Sequence, residues 1–151
     1  MNENAITYTG DSKQYIVVKI GNERYGIDIN FVDNIVRMQK ITRVPKVQKY
    51  FLGVINLRGE VVPVMSVRTR MGLEPDEFTN STRIIIIKLD QQGSIGLVVD
   101  EVLEVVALPV NEVDKYDAKD DKEVFINGIG KHDGQLISLF ELENVVADKQ
   151  A

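Results

Sequence analysis

The chain has 151 residues, 44% of them apolar and 27% charged, with a net charge of -5 and no cysteine. That length buries one ordinary core, or two small ones packed together, and the composition is that of a folded globular protein. Absent cysteine removes disulfides, thiolate metal ligands and thiol nucleophiles at once, and the acidic balance argues against a nucleic-acid binder, which needs a basic face. The longest strictly aliphatic run, Ile84-Ile85-Ile86-Ile87, falls far short of the roughly 20 residues that span a bilayer. The opening MNENAITYTGDSKQ lacks the basic start and apolar stretch of a signal peptide. A cytoplasmic location without membrane insertion is therefore expected, with residues 1–13 a flexible tail.

Residues 14–20 and 23–29 are β-branched or aromatic runs split by Gly21-Asn22, a strong hairpin signal. Ile29, Val32, Ile35 and Val36 then recur at a spacing that predicts a helical turn or two after an Asn30 cap. An extended stretch runs to Pro45, and residues 53–64 read as two strands joined at the Arg58-Gly59 turn. Ser66 is placed to cap a brief helix over Val67–Met71 that Gly72 ends. Residues 73–81, LEPDEFTNS, form a polar joint. Residues 111–123 read as a charged loop, and Ser138 with Glu141 makes a capping-box pattern opening a helix through about Ala147.

The chain repeats itself. Gly53-Val54-Ile55-Asn56-Leu57-Arg58-Gly59-Glu60-Val61-Val62-Pro63-Val64 is echoed by Gly128-Ile129-Gly130-Lys131-His132-Asp133-Gly134-Gln135-Leu136-Ile137-Ser138-Leu139. Residues 15–19 resemble 84–88, and Gly26-Ile27-Asp28-Ile29-Asn30-Phe31-Val32 resembles Gly96-Leu97-Val98-Val99-Asp100-Glu101-Val102. Val44-Pro45 is echoed by Leu108-Pro109. Blocks recurring in one order imply an internal duplication of a unit of about 60 to 70 residues, each able to bury its open face against its twin. Short strands, glycine turns and no long helix predict a mostly β protein of two small antiparallel barrels, residues 14–72 and 82–147. The isoleucine strand, apolar on both faces, belongs in or near the contact between them.

Catalytic constellations are nearly absent. His132, the one histidine, sits at a predicted hairpin tip, where solvent leaves it without the buried orienting carboxylate of a general base. Asp114, Asp117, Asp120 and Asp121 lack the alternate spacing and glycine of a calcium loop. Gly128-Ile129-Gly130 starts like a dinucleotide fingerprint, but a hairpin follows instead of a helix N-terminus. Asp100-Glu101 reads as charge near the N-terminus of a helical turn. No metal or cofactor is expected. A nucleic-acid-binding barrel would need aromatic platforms among basic residues, and Phe31, Tyr50 and Phe51 are scattered. Arg58 stands out instead: its twin is Asp133, a residue the turn favours, whereas arginine suits bidentate contact with a carboxylate or backbone carbonyls. Asn56 likewise interrupts an otherwise apolar strand.

Tyr25-Gly26-Ile27-Asp28-Ile29, Gly53-Val54-Ile55-Asn56-Leu57-Arg58-Gly59, Val62-Pro63-Val64 and the block from Gly96 to Val102 together resemble the CheW family of chemotaxis coupling proteins, over residues 14–147. The resemblance implies a single CheW-like domain of two tandem five-stranded SH3-like β-barrels sharing a hydrophobic core. It implies a non-enzymatic adaptor, recruited to membrane receptor arrays, that links the cytoplasmic tips of methyl-accepting chemoreceptors to the regulatory domain of the histidine kinase CheA. Carried over residue by residue, the receptor-binding positions are Ile29, Val32, Ile35, Asn56, Leu57 and Arg58. Some members have glutamate where this chain has Asn34, so the motif arginine would lose an ionic partner here, with Asp33 or Asp28 as substitutes. A CheW-like module of another receptor–kinase pathway is the alternative of the same fold.

Overall fold

β-Branched runs and left-handed glycine turns set the hairpins of this protein, whose computed structural model describes residues 11–90, 93–115 and 123–147. In chain order the strands are β1 (Ser12–Ile20), β2 (Glu23–Asp28), β3 (Val32–Arg37), β4 (Phe51–Leu57), β5 (Glu60–Ser66), β6 (Arg83–Leu89), β7 (Gly93–Val99), β8 (Glu101–Pro109), β9 (Asp114–Lys115), β10 (Ile126–His132) and β11 (Gln135–Phe140). Two short helices, α1 (Val67–Arg70) and α2 (Leu142–Val146), follow β5 and β11. One sheet runs β3-β6-β7-β5-β4 and the other β8-β1-β2-β11-β10-β9. Each is a five-stranded barrel, the second extended by the two-residue β9.

The barrels do not follow the halves of the chain. The β1–β2 hairpin pairs with β8 and β11 of the second half, and the β6–β7 hairpin pairs with β3 and β5 of the first. The boundaries 14–72 and 82–147 therefore mark the two copies of the repeat but not the two barrels. The exchange is reciprocal in detail. Leu139 meets Gly26 across a parallel pair, and its twin Val64 meets Gly96. Bulges fall at twin positions too, skipping Asp33 on β3 and Leu103 on β8. By that register Ile35 is the twin of Val105, so the likeness of Val44-Pro45 to Leu108-Pro109 is not structural.

Three apolar clusters result. Val17, Val106, Leu108, Ile137 and Leu139 fill the barrel of the six-stranded sheet, and Ile55, Val62, Val64, Ile84, Ile86 and Val98 fill that of the five-stranded sheet. A larger cluster lies between them, with Ile16, Val18, Ile20 and Ile27 from one sheet and Met65, Ile85, Ile87 and Leu97 from the other. Strand alternation sends Ile84 and Ile86 into one core and Ile85 and Ile87 into the shared one, which places the isoleucine strand at the expected contact. Arg70 docks α2 on this assembly. It donates to the carbonyls of Asn144 (3.1 Å), Val145 (2.8 Å) and Ala147 (2.6 Å) and lies over the rings of Tyr50 and Phe125, a cation at a helix C-terminus.

Several local expectations change. Only Ile29–Phe31 is helical, a single 3-10 turn capped by Asp28 rather than Asn30. β-Branched Val32, Ile35 and Val36 then continue as strand, where stiff side chains fit better. Ser66 does cap α1, accepting from Thr69 N at 3.1 Å, and Gly72 follows at φ 78°. Ser138 stays within β11, so the capping box does not form and Glu141 starts α2 without a side-chain cap. Ser12 and Lys13 belong to β1 rather than to a tail. The 111–123 segment begins with a 3-10 turn and β9, and residues 116–122, with Asp117, Asp120 and Asp121, lie outside the described residues, as do 1–10.

Candidate functional site

β4 and β5 join through a two-residue turn, with Leu57 paired to Glu60. Arg58 has φ 55° and Gly59 φ 83°; in the twin turn Asp133 has φ 51° and Gly134 φ 77°. Two successive positive φ angles match the strand twist of a hairpin. Aspartate visits that region through its short polar side chain, whereas arginine bears its Cβ there with no return for the turn. Asn56 Oδ1 accepts from Gly59 N at 3.1 Å, so the polar interruption of β4 also holds the turn. The Arg58 side chain is exposed, and among the described residues it has no hydrogen-bond or ion-pair partner. Leu57 packs against the five-stranded barrel's own core.

Ile29, Val32 and Ile35 lie at the other edge of the same sheet. Asp28 shapes their approach, accepting from Asn30 N at 2.9 Å with Lys13 Nζ 3.8 Å away. Ile29 and Val32 are half-buried against the shared core, while Ile35 is 37% exposed. Asn34 Oδ1 accepts from the adjacent Ile35 N at 2.9 Å. None of Asn34, Asp33 and Asp28 forms a tie with Arg58. The six candidates thus make two groups, one on β3 and the turn before it, one at the end of β4. These are the edge strands of the five-stranded sheet, closed toward each other by the Thr42–Val54 bridge beyond β3.

Phe31 belongs to the same 3-10 turn. It is 38% exposed and lines a groove of about 540 Å³ walled mostly by the β9-extended barrel and α2, with Lys13, Tyr15, Asp28, Leu108 and Leu139 among the walls. The barrels are also tied by Asp100, at the β7–β8 corner and not in a helical turn. Its carboxylate takes two bonds from Arg68 of α1, at 3.0 and 2.6 Å, and one from Gly21 N at 2.8 Å. Burial alone would push the Asp100 carboxyl up, but Arg68 and the Gly21 amide outweigh it and hold the group below the ordinary range. The same ion pair raises Arg68.

His132 lies 3.5 Å from the exposed Asp133 carboxylate, and among the described residues no three His, Asp or Glu side chains gather as a metal site. No helix among them is long and apolar enough to cross a membrane. Two barrels sharing a core, with an exposed arginine on a strained turn that has no partner among the described residues, define a double-barrel interaction module. Comparison with known proteins makes the class specific. Residues 14–150 match the CheW-like domain. The chain is 36% identical over 141 residues to the chemotaxis protein CheW of Bacillus subtilis, covering 92% of this chain and 89% of that one. It is 31% identical over 134 residues to CheW of Helicobacter pylori, covering 88% and 81%. The crystal structure of the scaffolding protein TtCheW from Thermoanaerobacter tengcongensis superposes with a TM-score of 0.83 at 30% identity, covering 90% and 93% of the chains. The chain belongs to the CheW family, and its barrels are of the SH3-like type.

Proposed function

We propose that this chemotaxis coupling adaptor holds the cytoplasmic tips of transmembrane chemoreceptors through Ile29, Val32, Ile35, Asn56, Leu57 and Arg58. Its other surfaces meet the regulatory domain of the histidine kinase CheA. It works in the cytoplasm, recruited to receptor arrays, and catalyses nothing itself. The observation that carries the reading is Arg58: an exposed cation without a partner among the described residues, kept at a backbone conformation that its twin gives to aspartate. Within the site, Arg58 and Ile35 are reachable by a partner. Half-buried Ile29, Val32 and Leu57 form the support beneath them, and Asn56 fixes the turn. Receptor state then biases kinase placement through differential contact free energy, and repetition in an array raises the effective concentration of modest interfaces.

Arg58→Glu is expected to weaken binding of a receptor tip fragment at least tenfold, on the order of one lost charge-assisted contact plus like-charge repulsion. Its thermal melt should match the wild type. A three-way pull-down with receptor tip and kinase regulatory domain reads both arms. Unchanged receptor affinity in the folded variant removes Arg58 from the site, and failure of the wild type to bind either partner at micromolar concentration removes the function.

A further inference from the structure

Between Asn34 and Gly59 the sequence holds six of the chain's 18 lysines and arginines and none of its 23 aspartates and glutamates. Five of the six, Arg37, Lys40, Arg43, Lys46 and Lys49, recur at every third position, and each is exposed. None of these five side chains makes a hydrogen bond, ion pair or ring contact among the described residues. The rest of a chain with net charge -5 is correspondingly acidic, so positive field is concentrated in this stretch. Residues 43–49 form neither helix nor strand and turn back to the start of β4, whereas Arg58 follows its end. Thr42 and Val54 exchange two backbone hydrogen bonds of 2.8 Å, and Gln48 O accepts from Phe51 N at 3.0 Å, so the turn is pinned at both ends. Lys46 sits in it at φ 62°, where its Cβ strains the backbone and its ammonium does nothing for the turn. Val44 and Val47 stand on either side, 41% and 45% exposed. Asparagine or glycine at position 46 would make the same turn at lower cost.

We infer that the 43–49 turn docks an extended acidic segment of a partner protein, its carboxylates on Arg43, Lys46 and Lys49 and its apolar side chains against Val44 and Val47. Charge sign selects an acidic occupant, and the acidity of the remaining surface steers it to this face. Beside the turn, Ile41, Leu52 and Phe78 wall a recess of about 450 Å³ that Arg43 also lines, room for one larger apolar side chain of the segment. Asp76, the one acid lining that recess, keeps one oxygen on the Ser66 hydroxyl and the other enclosed. A pinned turn loses little conformational freedom on binding. A lipid surface fits less well, because interfacial binding uses an amphipathic helix with large apolar side chains and this turn is not helical and exposes valines. A single-stranded nucleic acid lacks its stacking platforms, since Tyr50 is buried and Phe51 half-buried. The site shares no residue with the receptor surface, so it stands or falls separately.

The test is amide NMR of the full chain titrated with three peptides. The first is acetyl-(Asp-Leu-Glu)3-amide, the second its uncharged analogue acetyl-(Asn-Leu-Gln)3-amide, and the third acetyl-(Asp-Ser-Glu)3-amide, which keeps the charge without the apolar side chains. The first should produce saturable shifts at Arg43, Val44, Lys46 and Val47. The uncharged peptide should bind about tenfold more weakly, the sum expected of several exposed ion pairs, and the serine peptide several-fold more weakly. Lys46→Glu combined with Lys49→Glu, both at exposed side chains, should weaken the first peptide about tenfold with the spectrum elsewhere unchanged. Should that pair not fold, Lys46→Gly, which suits the left-handed φ, is expected to keep the fold and lose several-fold in affinity. Absence of saturable shifts at the turn, equal binding of the uncharged or serine peptide, or unchanged affinity in a folded variant overturns the inference. So do equal shifts of these amides by phosphatidylserine vesicles or by a single-stranded oligothymidine, and self-association through the same amides, which would make a second copy the occupant.

Discussion

Arg58 occupies a position that asparagine, aspartate or glycine would fill at lower cost. A non-glycine side chain in the left-handed region costs about 1–2 kcal/mol, and asparagine followed by glycine is the pair that this turn prefers. Arg58→Asn is therefore expected to stabilise the protein by roughly 0.5–1 kcal/mol, seen as a raised urea midpoint with unchanged slope, while receptor binding falls. Opposite signs in the two measurements would separate the residue's use from its fit; a variant that lost stability would show the turn to be unstrained. The oddity was visible in the sequence once Asp133 was set beside it. The surroundings were not. Asn34 spends its side-chain oxygen on its own neighbour's amide and Asp28 on Asn30 N, local bonds that residue types alone do not announce. Asn56 was legible as polar but not as the clamp on Gly59 N.

Hairpins were the best-read elements, because Gly21-Asn22, Arg58-Gly59 and Asp133-Gly134 fix the turn without help from distant residues. Which hairpin closes which barrel was illegible. Repetition makes the β1–β2 and β6–β7 edges nearly equivalent, so either could pair with either copy, and the choice is made by tertiary packing. The close approach at twin glycines shows the equivalence. A Cβ on Gly26 would stand 2.8 Å from Leu139 Cδ2, and one on Gly96 would stand 2.7 Å from Ile84 Cγ2. Gly26→Ala and Gly96→Ala should each cost about 1–3 kcal/mol by overpacking, to within roughly 1 kcal/mol of each other. Gly53→Ala should cost more, with φ at 142° and the Thr42 carbonyl only 2.1 Å from the new carbon; chemical denaturation ranks the three. The tie between barrels adds a pH signature. Asp100 is held low, so it contributes stability above its unfolded pKa that is lost as pH falls through the folded value. Asp76 is held high, so the folded state binds its proton more tightly and stability rises as pH falls through that raised value toward the unfolded one. Denaturation midpoints should therefore rise slightly on acidification before they fall, and Asp76→Asn should abolish the rise while keeping the fall.

At the scale of the whole molecule, exchange of hairpins means that neither half of the chain contains a barrel. Residues 1–80 hold β3, β4 and β5 without β6 and β7, and the β1–β2 hairpin without β8 and β11. Unpaired sheet edges and half of every apolar cluster would face water, and the shared core would lose either Ile16, Val18 and Ile27 or Ile85, Ile87 and Leu97. Chains of that length with half a core fall below what folding entropy requires. Fragments 1–80 and 81–151, made separately, are expected to lack dispersed amide spectra, and to recover native dispersion as a one-to-one complex when mixed. A fragment that folds alone would show that the barrels are separable after all. The consequence for coupling is mechanical. Because both halves build both barrels, and Arg68 and Asp100 tie the corner where the chain crosses between them, the two barrels cannot swing as beads on a linker. A partner bound on one barrel is then held in fixed relation to a partner on the other, and strain applied at one contact is delivered to the second instead of being absorbed between them.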